Sequence, residues 1–179
     1  IAHKILAEKP QLKVVYATCE QFVNEIIDTM FAAKGPDARE KGNRLRQHYR
    51  SADVLIIDDI QFIANKKAVQ EEFFHTFNEL VSRGKQIVIT SDQPPKELTA
   101  LEERLRTRFS GGLVFDIMPP NLETKIAILK KKSFEKQCLV PDEVLTFLAQ
   151  DSGDDVRTLE GRLTKVIFAS KLHECPITV

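Results

Sequence analysis

VLIIDDIQF, Val54 to Phe62, runs four large aliphatic side chains into two adjacent carboxylates before the chain turns apolar again. The aliphatic run suits a strand covered on both faces, as in a parallel sheet. In an open parallel sheet, ligands bind beyond the carboxyl ends of the strands. Two neighbouring carboxylates at such an end are costly unless a cation or hydrogen-bond donors meet them. Mg²⁺ carrying nucleotide phosphates meets that need, because Mg²⁺ is held by one or two carboxylates together with phosphate oxygens. On this reading Asp58 faces the metal, and Asp59 orients or deprotonates an attacking water. The plainer alternative has Asp59 capping the next helix and Asp58 paired with a lysine.

Outward from that stretch, apolar runs alternate with helical patterns. LKVVYATC (12–19) reads as a strand. Phe22, Val23, Ile26, Ile27, Met30 and Phe31 then follow at the spacing of one helix face. AAKGPDAREKGN (32–43) reads as a loop or short turn. Val69, Phe73, Phe77 and Leu80 mark a second helix, closed near Gly84. QIVIT (86–90) reads as the third strand and LVFDI (113–117) as the fourth. Near-continuous aliphatic strands separated by helices predict a parallel sheet with both faces covered. After Met118-Pro119-Pro120 come three helical segments, 121–137, 141–150 and 154–172, with no strand between them. Pro141 suits a first helical position and Asp154 an N-cap. The expected organisation is an α/β base over 1–118 and a small all-helical piece over 119–179.

Composition narrows the classes. Lys+Arg and Asp+Glu balance at 26 each, so any basic surface for nucleic acid must be local. Cys19, Cys138 and Cys175 are odd in number and far apart, and no Cys/His metal spacing is present, which points to a reducing, cytoplasmic setting. No apolar run approaches the roughly 18 residues of a membrane span. The opening IAHKILAEKP reads as the last turns of a helix, so the chain is expected to be a piece of a longer protein.

Three further motifs carry chemistry. QIVITSDQPP places Thr90, Ser91 and Asp92 at a strand end equivalent to that of Asp58, although Ser-Asp before Pro-Pro is also plain turn chemistry. LEERLRTRFSGG (101–112) brings Arg104, Arg106 and Arg108 within five residues. Arginine suits a bidentate grip on phosphate and can be offered to a neighbouring subunit's nucleotide; the alternative is a solvated face paired with Glu102 and Glu103. GDDVRTLEG (153–161) puts Arg157 in the first turn of a helix, where the dipole disfavours a cation unless an anion is near. A pair with Glu160 would be the ordinary explanation.

With QEEFFHTFNEL, these motifs and their order resemble the AAA+ family and, within it, the bacterial chromosomal replication initiators, over almost the whole chain. The resemblance implies a AAA+ parallel-sheet base of P-loop NTPase type followed by a small all-α lid. It implies ATP or ADP with Mg²⁺ as cofactor and weak ATPase activity in the intact protein. Asp58 and Asp59 resemble the Walker B pair, with Asp58 towards the metal, and Asp92 resembles sensor 1. Arg108 matches the arginine finger that contacts ATP on the adjacent protomer, Arg104 a second arginine at the protomer interface, and Arg157 the sensor 2 arginine of the lid. Implied partners are further copies in a right-handed helical filament on origin DNA, single-stranded DNA in its channel, and a replicative helicase or loader with regulators. For the single strand, Ile27 matches an aliphatic contact and Lys66 a basic one. Ala68 stands where an arginine is expected, with Lys67 one place earlier.

One element of the family is missing from the sequence: no GxxxxGK[ST] loop occurs in the 179 residues. The chain is expected to begin one helix after that loop, and without the strand that precedes the loop, 86–90 and 113–117 would flank a gap. As it stands, the polypeptide is expected to bind ATP poorly. The resemblance does not extend to the initiators' duplex-reading helix-turn-helix. Two other readings compete with the initiator. One is a regulatory AAA+ relative that docks on the initiator and stimulates its hydrolysis through Arg108. The other is a helicase-loader-like DNA-binding module, whose single-strand binding would survive loss of Arg108 and Arg157.

Overall fold

Three of the four predicted strands form. The computed structural model describes residues 1–31, 36–151, 153 and 155–178 of the chain. It divides into two compact units, Ile1–Val114 and Phe115–Val179. In the first, β1 (Val14–Thr18), β2 (Val54–Asp58) and β3 (Gln86–Ile89) make a parallel sheet in the order β1-β2-β3. The central β2 is buried along its first four residues, as its unbroken aliphatic run requires. Its register sets Thr18 opposite Asp58, and Ile57 between Ala17 and Ile89. All the carboxyl ends therefore lie along one edge.

Helices α1 (Ala2–Glu8), α2 (Cys19–Phe31), α3 (Pro36–Arg50), α4 (Lys67–Ser82) and α5 (Glu103–Ser110) accompany the sheet. Gly84, in the left-handed region at φ 65°, closes α4 as expected. The core is aromatic where α2, α3 and α4 meet. Phe22 packs edge-on against Tyr49, ring centroids 4.9 Å apart, and against Phe73 at 5.6 Å. Ile57, Ile60, Ile63, Leu80 and Leu105 complete it.

Two expectations are corrected here. Residues 36–43 are helical, not loop. Pro36 occupies the first helical position, which suits its fixed φ, and Leu45 and Tyr49, one turn apart, tie the helix to the core. Its outer face is so polar that the apolar period is short, and Tyr49 holds its place partly by donating to Glu25 Oε2 at 2.6 Å. The other part of the loop expectation, 32–35, lies outside the described residues, as do the side chains of Met30 and Phe31. Residues 113–117 form no strand. Among the described residues no strand lies beside them, and Ile117 is 94% exposed. A strand's N–H and C=O groups need a partner strand, and among the described residues none lies alongside this segment.

The second unit contains α6 (Leu122–Glu135), α7 (Asp142–Asp151) and α8 (Val156–His173) around Leu129, Leu145, Leu148, Leu159, Leu163 and Ile167. Asn121 caps α6, accepting from the Thr124 amide at 2.9 Å. Pro141 sits just before α7, and its carbonyl accepts from Leu145 N at 3.1 Å. Asp154 lies outside the described residues. The cap on α8 is Asp155, whose carboxylate accepts from the amides of Arg157 and Thr158 at 3.0 and 3.1 Å. The Thr158 hydroxyl and those amides hold the Asp155 carboxyl below its ordinary range.

Candidate functional site at the carboxyl edge of the sheet

Asp58 ends β2 half-buried, and both its oxygens are already held by hydroxyls. Thr90, one residue past β3, donates its Oγ1–H to Oδ1, and Tyr16 of β1 donates to Oδ2 at 3.0 Å. Tyr16 pairs with Ile56 across the ladder, so its side chain leans along the strand to reach Asp58. The bond to Asp58, reinforced by that carboxylate's charge, holds the Tyr16 phenol above its ordinary value of 10.0. The ring stays a donor through the neutral range. Each carboxylate oxygen has two acceptor positions, so one remains open on each.

Asp59 adopts the left-handed conformation, φ 60°, at the start of a 3-10 turn (Ile60–Ile63). Few residues other than glycine accept that region, and Asp is among them. Its amide donates to Thr90 Oγ1 at 2.9 Å, and the Ile60 amide donates to the Thr90 carbonyl at 3.0 Å. One threonine thus fixes both acidic residues through 31 and 32 positions of sequence separation. Gln61 Nε2 donates to Asp59 Oδ1 at 3.2 Å, while Gln61 Oε1 is buried with no donor among the described residues. The plain alternative weighed from the sequence does not form. Asp59 makes no side-chain cap to the turn, and among the described residues hydroxyls, not a lysine, meet Asp58.

The other sequence candidates distribute as follows. Asp92 is exposed beyond β3, in a turn where Ser91 Oγ accepts from the Gln93 amide at 3.3 Å. Arg104 pairs with Glu102 at 2.5 Å, and its guanidinium lies 4.5 Å from the centroid of the Phe74 ring. Arg108, in the last turn of α5, is exposed. Between them, Arg106 has a buried Nε with no partner among the described residues. Lys66 and Lys67 open α4 and are exposed, with no acidic residue in that first turn. Lys66 Nζ donates to the Phe62 carbonyl at 2.6 Å. Ile27 is half-buried against the core. Arg157 lies in the second unit, exposed, in the first turn of α8. Glu160, its anticipated partner, faces Lys132 at 3.5 Å instead.

The donor set fits Mg²⁺-nucleotide chemistry. Mg²⁺ asks for one or two carboxylates and keeps waters and phosphate oxygens for the remainder, and Asp58 presents a held carboxylate with acceptor positions to spare. Among the described residues, no cluster of three or more His, Cys, Asp or Glu offers a cage made of protein alone. Sequence reading placed Thr90 at this edge but passed over Tyr16. A tyrosine in an otherwise aliphatic strand, two places before the level of Asp58, was the available signal.

Comparison with known proteins places this arrangement. Residues 1–116 match the family model of the bacterial DnaA ATPase domain. The chromosomal replication initiator protein DnaA of Chloroflexus aurantiacus is 47% identical over 179 residues, all of this chain and 36% of that protein. This chain thus spans about a third of the length of the curated relatives it matches. Domain III of the Thermotoga maritima replication initiation protein DnaA superposes with a TM-score of 0.90 at 38% identity, covering 99% of this chain and 71% of that one. A replication initiator DnaA bound to AMPPCP and single-stranded DNA matches with a TM-score of 0.76 at 30% identity, over 94% of this chain and 51% of that one. The fold is a AAA+ parallel-sheet base followed by a small all-α lid, and the chain belongs to the bacterial DnaA ATPase-domain family.

Proposed function

We propose that this chain is the nucleotide-switched assembly module of a chromosomal replication initiator, cytoplasmic in setting. In this reading it binds ATP or ADP with Mg²⁺ when joined to a phosphate-binding loop. The observation that carries the reading is the pair Asp58-Asp59, held by Thr90 and Tyr16 with no lysine paired to it among the described residues. Asp58 holds the metal side of the site. Asp59, beside a Gln61 carbonyl with no donor among the described residues, orients or deprotonates the attacking water. The bound metal would supply charge neutralisation for the phosphates. Asp92 senses the nucleotide from the end of β3, and Arg157 senses it from the lid. The nucleotide on a related initiator, AMPPCP, supports this assignment.

Arg108 and Arg104 serve a neighbouring copy, in a helical filament on origin DNA. Exposure of Arg108 in the last turn of α5 supports a role outside its own subunit. Single-stranded DNA is contacted by Ile27, Lys66 and Lys67. Two lysines at a helix N-terminus oppose the dipole, which a phosphate backbone would offset, and the related initiator carries a single strand. A replicative helicase or its loader, and regulators of hydrolysis, act on the assembled form.

The test is Arg108→Ala in a protein carrying this chain and a phosphate-binding loop. ATP affinity should stay nearly unchanged while ATP-dependent assembly is abolished, because the arginine offered to the neighbouring copy's nucleotide is gone. Equal loss of affinity and assembly would place Arg108 in its own subunit's site and end the reading.

A further inference from the structure

Gln70 lies near the start of α4 and is 1% exposed. A carboxamide buried that deeply is costly unless its donors and acceptor are met. Its Nε2 donates to the Ile63 carbonyl at 3.0 Å and to the Ala100 carbonyl at 3.3 Å, and its Oε1 accepts from the Glu102 amide at 2.7 Å. The orientation is determined by chemistry: flipped, the oxygen would face two carbonyls and the NH₂ an N–H. The Asn65 amide adds a parallel bond to Ala100 O at 3.3 Å.

These bonds join two functional segments. Ile63 ends the turn that begins at Asp59. Glu102 is the residue before α5, and its carboxylate holds Arg104, whose guanidinium stacks on Phe74, one turn beyond Gln70 in α4. We infer that Gln70 is a positioning residue: it sets the register of the arginine helix, and with it Arg104 and Arg108, against the turn carrying the acidic pair. Leu98, Leu101 and Leu105 already bury the approach to α5 and its first turns. Apolar burial is non-directional, so it retains the segment without choosing where its first amide points. Gln70 makes that choice, because its three bonds are satisfied together only in one placement of residues 100–102. The consequence for assembly rests on the proposed role of Arg108, whereas the positioning does not.

The experiment has two arms. In the 179-residue chain, the Glu102 amide should exchange with solvent only as slowly as the core amides of β2, although it precedes an exposed helix. Fast exchange in the unmodified chain would overturn the inference without any variant. In the loop-bearing protein, Gln70→Met keeps the volume and removes all three bonds, and Gln70→Glu keeps the acceptor but sets a carboxylate against two carbonyls. Both should leave nucleotide affinity within about twofold and raise the protein concentration needed for ATP-dependent assembly by about tenfold or more, since at least one buried bond's worth of positioning is lost. Exchange at Glu102 should quicken in parallel. Unchanged assembly, or affinity and assembly lost in equal measure, would overturn the coupling. Arg108→Ala run alongside separates the two ideas: if it assembles normally the trans reading fails, and Glu102 exchange in the Gln70 variants then decides the positioning alone.

Discussion

VLIID at 54–58 and LVFDI at 113–117 are nearly the same sentence written twice, yet only the first is a strand. Both are runs of β-branched or large apolar residues with an acid at or near the end. The first lies between β1 and β3 with a continuous ladder on each side, and Ile57 is fully buried. The second has no strand beside it among the described residues, and its apolar side chains face solvent. β-propensity describes how well a residue fits a pleated, half-buried surface. The fit is realised only where neighbouring edges exist to take the backbone groups. The acids share the contrast: Asp58 is gripped by two hydroxyls, while Asp116 is exposed beyond any ladder.

That contrast can be broken in several ways. The largest effect should come from the acids. In a loop-bearing protein, Asp59→Asn should slow ATP hydrolysis on the order of 10²–10⁴-fold, the range for losing a general base. Asp116→Asn should leave the rate unchanged, and comparable losses in a steady-state assay would erase the functional distinction between the two segments. Next come the aliphatics, measured by urea unfolding of the 179-residue chain. Ile57→Ala should cost about 2–5 kcal/mol, as a core truncation does, whereas Ile117→Ala should stay within about 0.5 kcal/mol. A large cost at Ile117 would mean that this segment is paired in solution.

The smallest effect sharpens the view of β2 from its other end. Asp53, just before the strand, accepts from Lys85 Nζ at 2.7 Å and from the Lys13 amide at 2.8 Å, joining the starts of all three strands. The Lys85 bond first, then the Lys13 amide, holds its carboxyl below the ordinary value of 3.8. A depressed folded pKa gives stability that is present above 3.8 and lost as pH falls from there through the lowered value. Asp53→Asn should therefore flatten that part of the acid-unfolding profile, followed by circular dichroism, while leaving its neutral-pH slope alone. An unaltered profile would mean that Asp53 titrates alike in the folded and unfolded chain.

Much of this was legible along the chain. The β2 boundaries, the helix face through Phe22 and Ile26, the end of α4 at Gly84 and the three lid helices all follow from period and turn chemistry. The α3 helix was not legible, because only Leu45 and Tyr49 of its described side chains pack inward and a two-residue stripe sets no period. Gln70 was hidden for a related reason. It sits three residues before Phe73 on the buried face, where a polar residue reads as an interruption until its three partners are known.

By itself, the sequence determined the three strands that form, the helix faces through Phe22 and Phe73 and the three helices after Pro120, and that two acids close the central strand. These are local properties: a hydrophobic period, a cap or a glycine turn is complete within a few residues. Tertiary structure alone decided that Tyr16 and Thr90 hold Asp58 and that Gln70 ties the turn after Asp59 to the arginine helix. Each of those depends on a hydrogen-bond partner in a different segment of the chain. Whether that partner arrives is settled by packing and register, which no local pattern encodes.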